Sequence, residues 1–225
     1  MALDSTKTDG KLGKKIHDYL VSKGVETPMR GEEIYNSDEK IRIIREQFVD
    51  IMDSLNLDLE DDSLRDTPNR IAKMFVNEVF WGLDYNNFPK ITPFENKMQY
   101  DSMILERGIA VKSMCEHHFV TFNGSAHIAY IPNENGFVLG LSKLNRIVEF
   151  FSRRPQVQER LTEQIYHALS YILKTENVAV MINAKHFCVV QRGVEDMNAD
   201  MVTSRLGGEF RDNEVKNEFL TLIGL

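Results

Sequence analysis

The sequence has 225 residues, 42% of them hydrophobic, enough for one compact domain with a sizeable core or for one domain and an appendage. Its formal net charge of −7 argues against a nucleic-acid binder working through a general basic field; an anionic small molecule needs specific Lys and Arg residues gathered in one place. No apolar run approaches the roughly 20 residues that span a bilayer, and no apolar stretch of signal-peptide type follows the charged start, so a cytoplasmic protein without membrane attachment is expected.

Leu12, Ile16, Tyr19 and Leu20 repeat at helical spacing, with Gly24 as a stop. Pro28 and Gly31 mark residues 26–36 as a linker. Ser37-Asp38-Glu39 opens a second helix, its acids in the first turn where free backbone N–H groups attract them. Its apolar positions are Ile41, Ile44, Phe48, Ile51, Met52 and Leu55. Thr67 as cap and Pro68 in the first turn start a third helix, which buries Ile71, Met74, Phe75 and Val79 and is expected to stop near Gly82. On it Arg70 and Lys73, three apart, project from similar azimuths.

From about Ser102 the texture changes. Residues 103–114 and 119–131 are rich in β-branched and aromatic side chains and read as strands, with Asn123-Gly124 and Pro132 as breaks. Ser142 can cap a helix showing Leu144, Ile147, Val148 and Phe151. A second helix, from about Gln156, carries Val157, Leu161, Ile165, Leu169 and Leu173 on one side. Residues 177–190 read as one long strand and 201–206 as the last. Two strands, two helices and two strands predict an α+β fold with an antiparallel sheet and a helix pair on one face; strict βαβ alternation would predict a parallel sheet instead. The division expected is a helical N-terminal region, residues 1–100, and a catalytic domain, residues 101–225.

Cys115-Glu116-His117-His118 falls between two strands, and His186-Phe187-Cys188 lies in the long strand, where residues two apart share a face. Both cysteines therefore sit within three residues of a histidine. Thiolate and imidazole suit zinc, and two cysteines with one histidine form a three-ligand set that leaves a fourth position for water. On spacing alone any of His117, His118 and His186 can be the third ligand, and the two left over can carry protons near neutral pH. Taken singly, these residues read as ordinary buried cysteines and hydrogen-bonded histidines; a disulfide or a closed structural zinc site also fits the pattern. Glu116 either orients an imidazole or faces solvent. Ser142-Lys143-Leu144-Asn145-Arg146 places two cations at a helix start, a natural phosphate position, and Arg192, Arg70 and Lys73 also lie near element ends. Each can equally be a solvated surface charge, as can Glu159.

These segments, with Thr67-Pro68-Asn69-Arg70-Ile71-Ala72-Lys73-Met74, Gly140-Leu141-Ser142-Lys143-Leu144-Asn145-Arg146 and Arg154-Pro155-Gln156-Val157-Gln158-Glu159-Arg160-Leu161, together resemble the GTP cyclohydrolase I family over roughly residue 41 to the end. The resemblance implies a T-fold, a four-stranded antiparallel sheet with two helices on one face behind a helical N-terminal region, assembled as a homodecamer with active sites shared between subunits. It implies that GTP and water give formate and 7,8-dihydroneopterin triphosphate, the first step of pterin- or folate-type synthesis. Matched residue by residue, it makes Cys115, His118 and Cys188 the ligands of zinc (Zn2+) and His117 and His186 the catalytic histidines. Glu159 reads the guanine edge from a buried position, with Gln158 beside it. Ser142, Lys143, Arg146 and Arg192 match triphosphate and ribose contacts, and Arg70 and Lys73 match cations reached from a neighbouring subunit. The pattern departs at Val190-Gln191 and over residues 198–202. A zinc nucleobase deaminase would need a Cys-x-x-Cys that the sequence lacks. A non-catalytic purine binder should lack the metal set, and a nitrile reductase would need a nucleophilic cysteine outside it.

Overall fold

The structure, a computed structural model, describes residues 4–31, 34–134 and 136–224; Glu32 and Glu33, inside the stretch read as a linker, lie outside the described residues. Helix α1 (Gly10–Lys23) ends where Gly24 turns left-handed at φ 72°, the stop its position announced. Helix α2 (Ser37–Ser54) is capped by Asn36: its side chain accepts from Glu39 N–H while the Glu39 carboxylate accepts from Asn36 N–H. Helix α3 (Thr67–Met74) has Asp66, not Thr67, at its cap position, and Pro68 in its first turn. It does not run on to Gly82. Residues Phe75–Val79 form one π-helical turn, with Phe80 N–H bonded to Phe75 C=O at 3.0 Å.

The sheet contains β2 (Ile104–Cys115), β3 (Thr121–Tyr130), β6 (Val178–His186) and β7 (Met201–Leu206), antiparallel in that order. A two-residue strand β5 (Pro155–Gln156) runs parallel to the end of β2, pairing Cys115 with Gln156; nothing in the sequence pattern announced it. A separate two-stranded ribbon joins β1 (Phe94–Glu95) to β4 (Phe137–Val138). Asn123-Gly124, expected to break the strand, instead lies within β3. A Cβ on Gly124 would stand 1.9 Å from the Asn183 carbonyl oxygen, so glycine serves close strand approach here rather than a turn. A bulge between Glu106 and Ile109 holds Gly108 at φ 73°, which coils β2.

Helices α4 (Leu141–Ser152) and α5 (Gln158–Leu173) pack on one face of this sheet, over Phe122, Ile128, Tyr130, Val180 and Ile182. Ile16 and Leu20 of α1 join that core. Gly140 occupies the cap position of α4 without a side-chain bond, so Ser142 lies inside the first turn rather than capping it. The alternate residues Ala129, Ile131, Ala179 and Met181 point to the opposite face. There a further helix, α7 (Asn213–Ile223), packs through Phe219 beside Phe210. Val215 and Phe219, four apart, followed by Gly224, were the available signal for it.

Arg154, in the turn after α4, is fully buried. Its guanidinium donates to Glu26 Oε1 at 3.2 Å, Tyr85 Oη at 3.3 Å, Thr27 Oγ1 at 3.4 Å and the Gly82 carbonyl, and lies 4.8–5.1 Å from the ring centres of Tyr85, Phe150 and Phe151. Burial pushes the Tyr85 hydroxyl well above its usual pKa, so it stays a phenol. This cation joins the segment after α1 to the core of the sheet.

Candidate functional site

Antiparallel pairing sets Ser113 opposite Phe122 and Phe122 opposite His186, so the end of β2, the start of β3 and the end of β6 meet at one edge. The expected long strand stops at His186, because its partner β3 begins only one residue before Phe122 and offers no ladder beyond. The chain turns there into a single helical turn, α6 (Phe187–Val190). His186 and Cys188 are therefore not successive same-face residues of a strand. The turn nevertheless folds Cys188 back beside Cys115, and one ligand atom from each of Cys115, His186 and Cys188 lies within 4.8 Å of the others. This group could hold a metal ion.

Residues 116–120 form a tight loop closed by Cys115 N–H to Val120 C=O at 2.8 Å and Phe119 N–H to Cys115 C=O at 2.9 Å. Phe119 adopts φ 51°, and the rings of Phe75 and Phe80 pack on it at 6.1 and 5.3 Å. The π turn after α3 thus clamps the loop. Glu116 neither orients an imidazole nor stands free: it receives Arg160 Nη1 at 2.6 Å and Nη2 at 3.3 Å, which ties the loop to the first turn of α5. His117 Nδ1 stands 3.7 Å from Cys115 Sγ. His118 points elsewhere in the loop, and its Nε2 accepts from Arg192 Nη1 at 3.1 Å. Of the three histidines, the structure sets His186 with both sulfurs, His117 near one, and His118 with Arg192.

His186 is stacked flat on Phe122, 4.5 Å centre to centre and 8° between planes. Burial lowers its pKa and so favours the neutral ring, opposed in part by the Glu159 charge. Burial, and the Cys115 thiol beside it, push the Cys188 thiol up. Cys115, His117, Gln158, Glu159, His186 and Cys188 line one cavity of about 330 Å³. Glu159, expected to be buried, is exposed where it lines this cavity, because the first turn of α5 carries its side chain outward while Gln158 beside it points into the protein. Gln158 is buried and spends every side-chain bond on the protein.

The phosphate candidates divide. Arg192 is at the cysteine end. Arg70 and Lys73 are exposed on α3, with Arg70 Nε 3.4 Å from Asp66. Ser142, Lys143 and Arg146 sit in the first turns of α4, where Asn145 bonds Glu106 near the start of β2 and Lys143 Nζ donates to Lys90 C=O at 3.2 Å. Arg146 lines a separate cavity of about 550 Å³ with Lys7 and Arg153. From Glu106 to Cys115 is roughly 30 Å along the strand at about 3.3 Å per residue. One chain does not bring the α4 cations to the cysteines.

Two sulfurs and an imidazole nitrogen, gathered in a cavity without a fourth protein ligand from among the described residues, are the donor chemistry that zinc takes where it keeps an open position. Among the described residues no helix is long and apolar enough to cross a membrane.

Residues 44–224 match the family model described as GTP cyclohydrolase I. The chain is 52% identical over 214 residues to the GTP cyclohydrolase 1 of Yersinia enterocolitica, covering 95% of this chain and 96% of that one. It is 54% identical over 209 residues to that of Serratia proteamaculans, covering 92% and 93%, and 54% identical over 211 residues to that of Klebsiella pneumoniae, covering 92% and 94%.

Proposed function

The chain belongs to the GTP cyclohydrolase I family and is an enzyme of GTP cyclohydrolysis, and on that premise we propose that it uses zinc to convert GTP and water into formate and 7,8-dihydroneopterin triphosphate. The observation that carries the zinc reading is the meeting of Cys115 and Cys188, far apart in sequence, with an imidazole in one cavity. Zinc, when bound, supplies Lewis-acid activation of water near neutral pH.

Cys115 and Cys188 would hold the metal as thiolates with His118 as the third ligand, through the Nε2 that here accepts from the exposed Arg192 guanidinium. His186 and His117 remain beside the sulfurs to carry protons: the neutral ring of His186 takes a proton at one nitrogen and returns it to the base. The Glu159 carboxylate accepts from the guanine N–H donors, so its place at the cavity mouth fits it to the edge of the base rather than to the metal. Its loss is expected to raise KM for GTP while leaving bound zinc unchanged, and to relax discrimination against other purine nucleotides.

The distance between the cysteine end and Ser142, Lys143 and Arg146 supports a shared site. A second copy would bring its α4 N-terminus, and a third its Arg70 and Lys73, to triphosphate lying outside the cavity. Among the described residues no strand pairs with the outer edge of β7 or with most of that of β2, and these edges supply strand surfaces for such an assembly. A T-fold homodecamer in the cytoplasm, feeding pterin- or folate-type synthesis, is the arrangement proposed.

Incubation with GTP, with and without a chelator, tests the reading: formate and a pterin fluorescent after oxidation are expected only with metal. No formate from zinc-loaded protein would overturn it. The ligand assignment has its own test, since His118→Ala should shed zinc and His186→Ala should keep it.

A further inference from the structure

Gln158 is expected from its place beside Glu159 to share in binding the substrate, but its surroundings give it another task. The side chain is 1% exposed, so almost none of it is offered to a ligand. Its Nε2 lies 2.8 Å from the Met201 carbonyl oxygen, 3.0 Å from that of Ile182 and 3.2 Å from Thr203 Oγ1. Backbone carbonyls only accept, so the amide must present its NH2 to them. The flipped amide would set its oxygen against two carbonyl oxygens in a buried place. That leaves Oε1 turned toward His186, 2.8 Å from Nε2.

An amide oxygen also only accepts, so His186 Nε2 carries the hydrogen of this bond. A neutral imidazole has one N–H, and Nδ1 is therefore bare. The support is rigid on every side. Thr162 Oγ1 donates to the Gln158 carbonyl at 2.9 Å and lies 2.7 Å from Thr203 Oγ1, and Phe122 covers the face of the ring.

We propose that Gln158 is the positioning residue of His186: braced between β6 and β7, it locks the Nε2–H tautomer and leaves Nδ1 as the one lone pair with which His186 moves a proton. The inference deepens the proton role proposed for His186 and rests on it. A ring locked this way presents the same nitrogen in every turnover, whereas an untethered ring would populate both tautomers and both flips.

The test reads the ring directly. In zinc-loaded enzyme at pH 8 with nitrogen-15 labelled histidine, the solid-state signal that disappears in His186→Gln should show Nε2 protonated and Nδ1 bare. In Gln158→Met that signal should become a mixture of tautomers. The same variant should lose about ten- to a hundredfold in kcat, the usual cost of removing such support, with KM for GTP changed less than about twofold and zinc content unchanged. Gln158→Glu keeps an acceptor for the ring and, when protonated on the oxygen that faces the Ile182 and Met201 carbonyls, should hold the tautomer and recover part of kcat.

A wild-type ring protonated on Nδ1 overturns the proposal, whether or not Gln158→Met folds. So does a Gln158→Met enzyme whose KM rises while kcat stands, because that is the signature of a substrate contact. If the wild type releases no formate, the proposed reaction fails, yet the tautomer remains readable and is judged separately.

Discussion

Cys188→Ser is expected to lose bound zinc and formate release together, with kcat/KM for GTP down by at least about a hundredfold. A hydroxyl neither ionises at neutral pH nor offers the soft donor that zinc selects, so one of two negative ligands disappears. Removing residues that merely support a ligand already costs about ten- to a hundredfold, and removing a ligand should cost more. Metal analysis of the purified variant and a formate assay with added zinc check the two effects. Cys188 is buried at the margin of the core in the short turn after β6, and a serine hydroxyl is nearly the size of the thiol, so the variant should fold with near-normal thermal stability in the presence of chelator. Full zinc with full formate release would remove Cys188 from the site.

Arg154→Ala should be the most destabilising single change away from the metal. It strips a fully buried cation from Glu26, which is itself largely buried, and leaves the Gly82 carbonyl and Tyr85 hydroxyl without their donor. Breaking a buried pair by removing one partner costs about 3–5 kcal/mol. The emptied space between Tyr85, Phe150 and Phe151 adds a cavity penalty. For a chain of this size the pair alone corresponds to a fall in Tm of roughly 6–20 °C. Glu26→Gln separates charge from packing: it keeps the volume but leaves the guanidinium unpaired, and should show a smaller loss in the same direction. Calorimetry of both variants measures it, and a Tm within about 2 °C of wild type for Arg154→Ala would show the pair to be dispensable.

How much of this was legible in the sequence depends on how local each cause is. Gly24 and the 201–206 strand were readable because a stop signal and a short alternating run act within a few residues. The two cysteines were readable because thiol and imidazole are rare together, so residue type alone carried the chemistry. Which histidine faces the sulfurs was not: His186 meets them because β6 ends and turns there, while the directions of His117 and His118 in a five-residue loop are set by the Phe75–Phe119–Phe80 clamp and the Glu116–Arg160 pair. The end of β6 was hidden for a similar reason: periodicity runs on through residue 190, while the ladder stops where β3 stops. Asn123-Gly124 has the composition of a turn, and only the closeness of Asn183 reveals a different need for glycine. The partners of Arg154 and Gln158 come from residues distant in the chain, beyond the reach of any window reading.

The separation of the α4 cations from the cysteines by the length of a strand has a consequence for inheritance as well as for geometry. In the proposed assembly, what a mutation damages is an interface rather than a subunit. A chain lacking Cys188 still lends its Arg146 to a neighbour, and a chain lacking Arg146 still lends its cysteines. Two inactive alleles of these kinds, expressed in one cell, would rebuild intact sites wherever an undamaged half meets an undamaged half, about one in four under random mixing around a closed ring. Two alleles damaged in the same half would rebuild none.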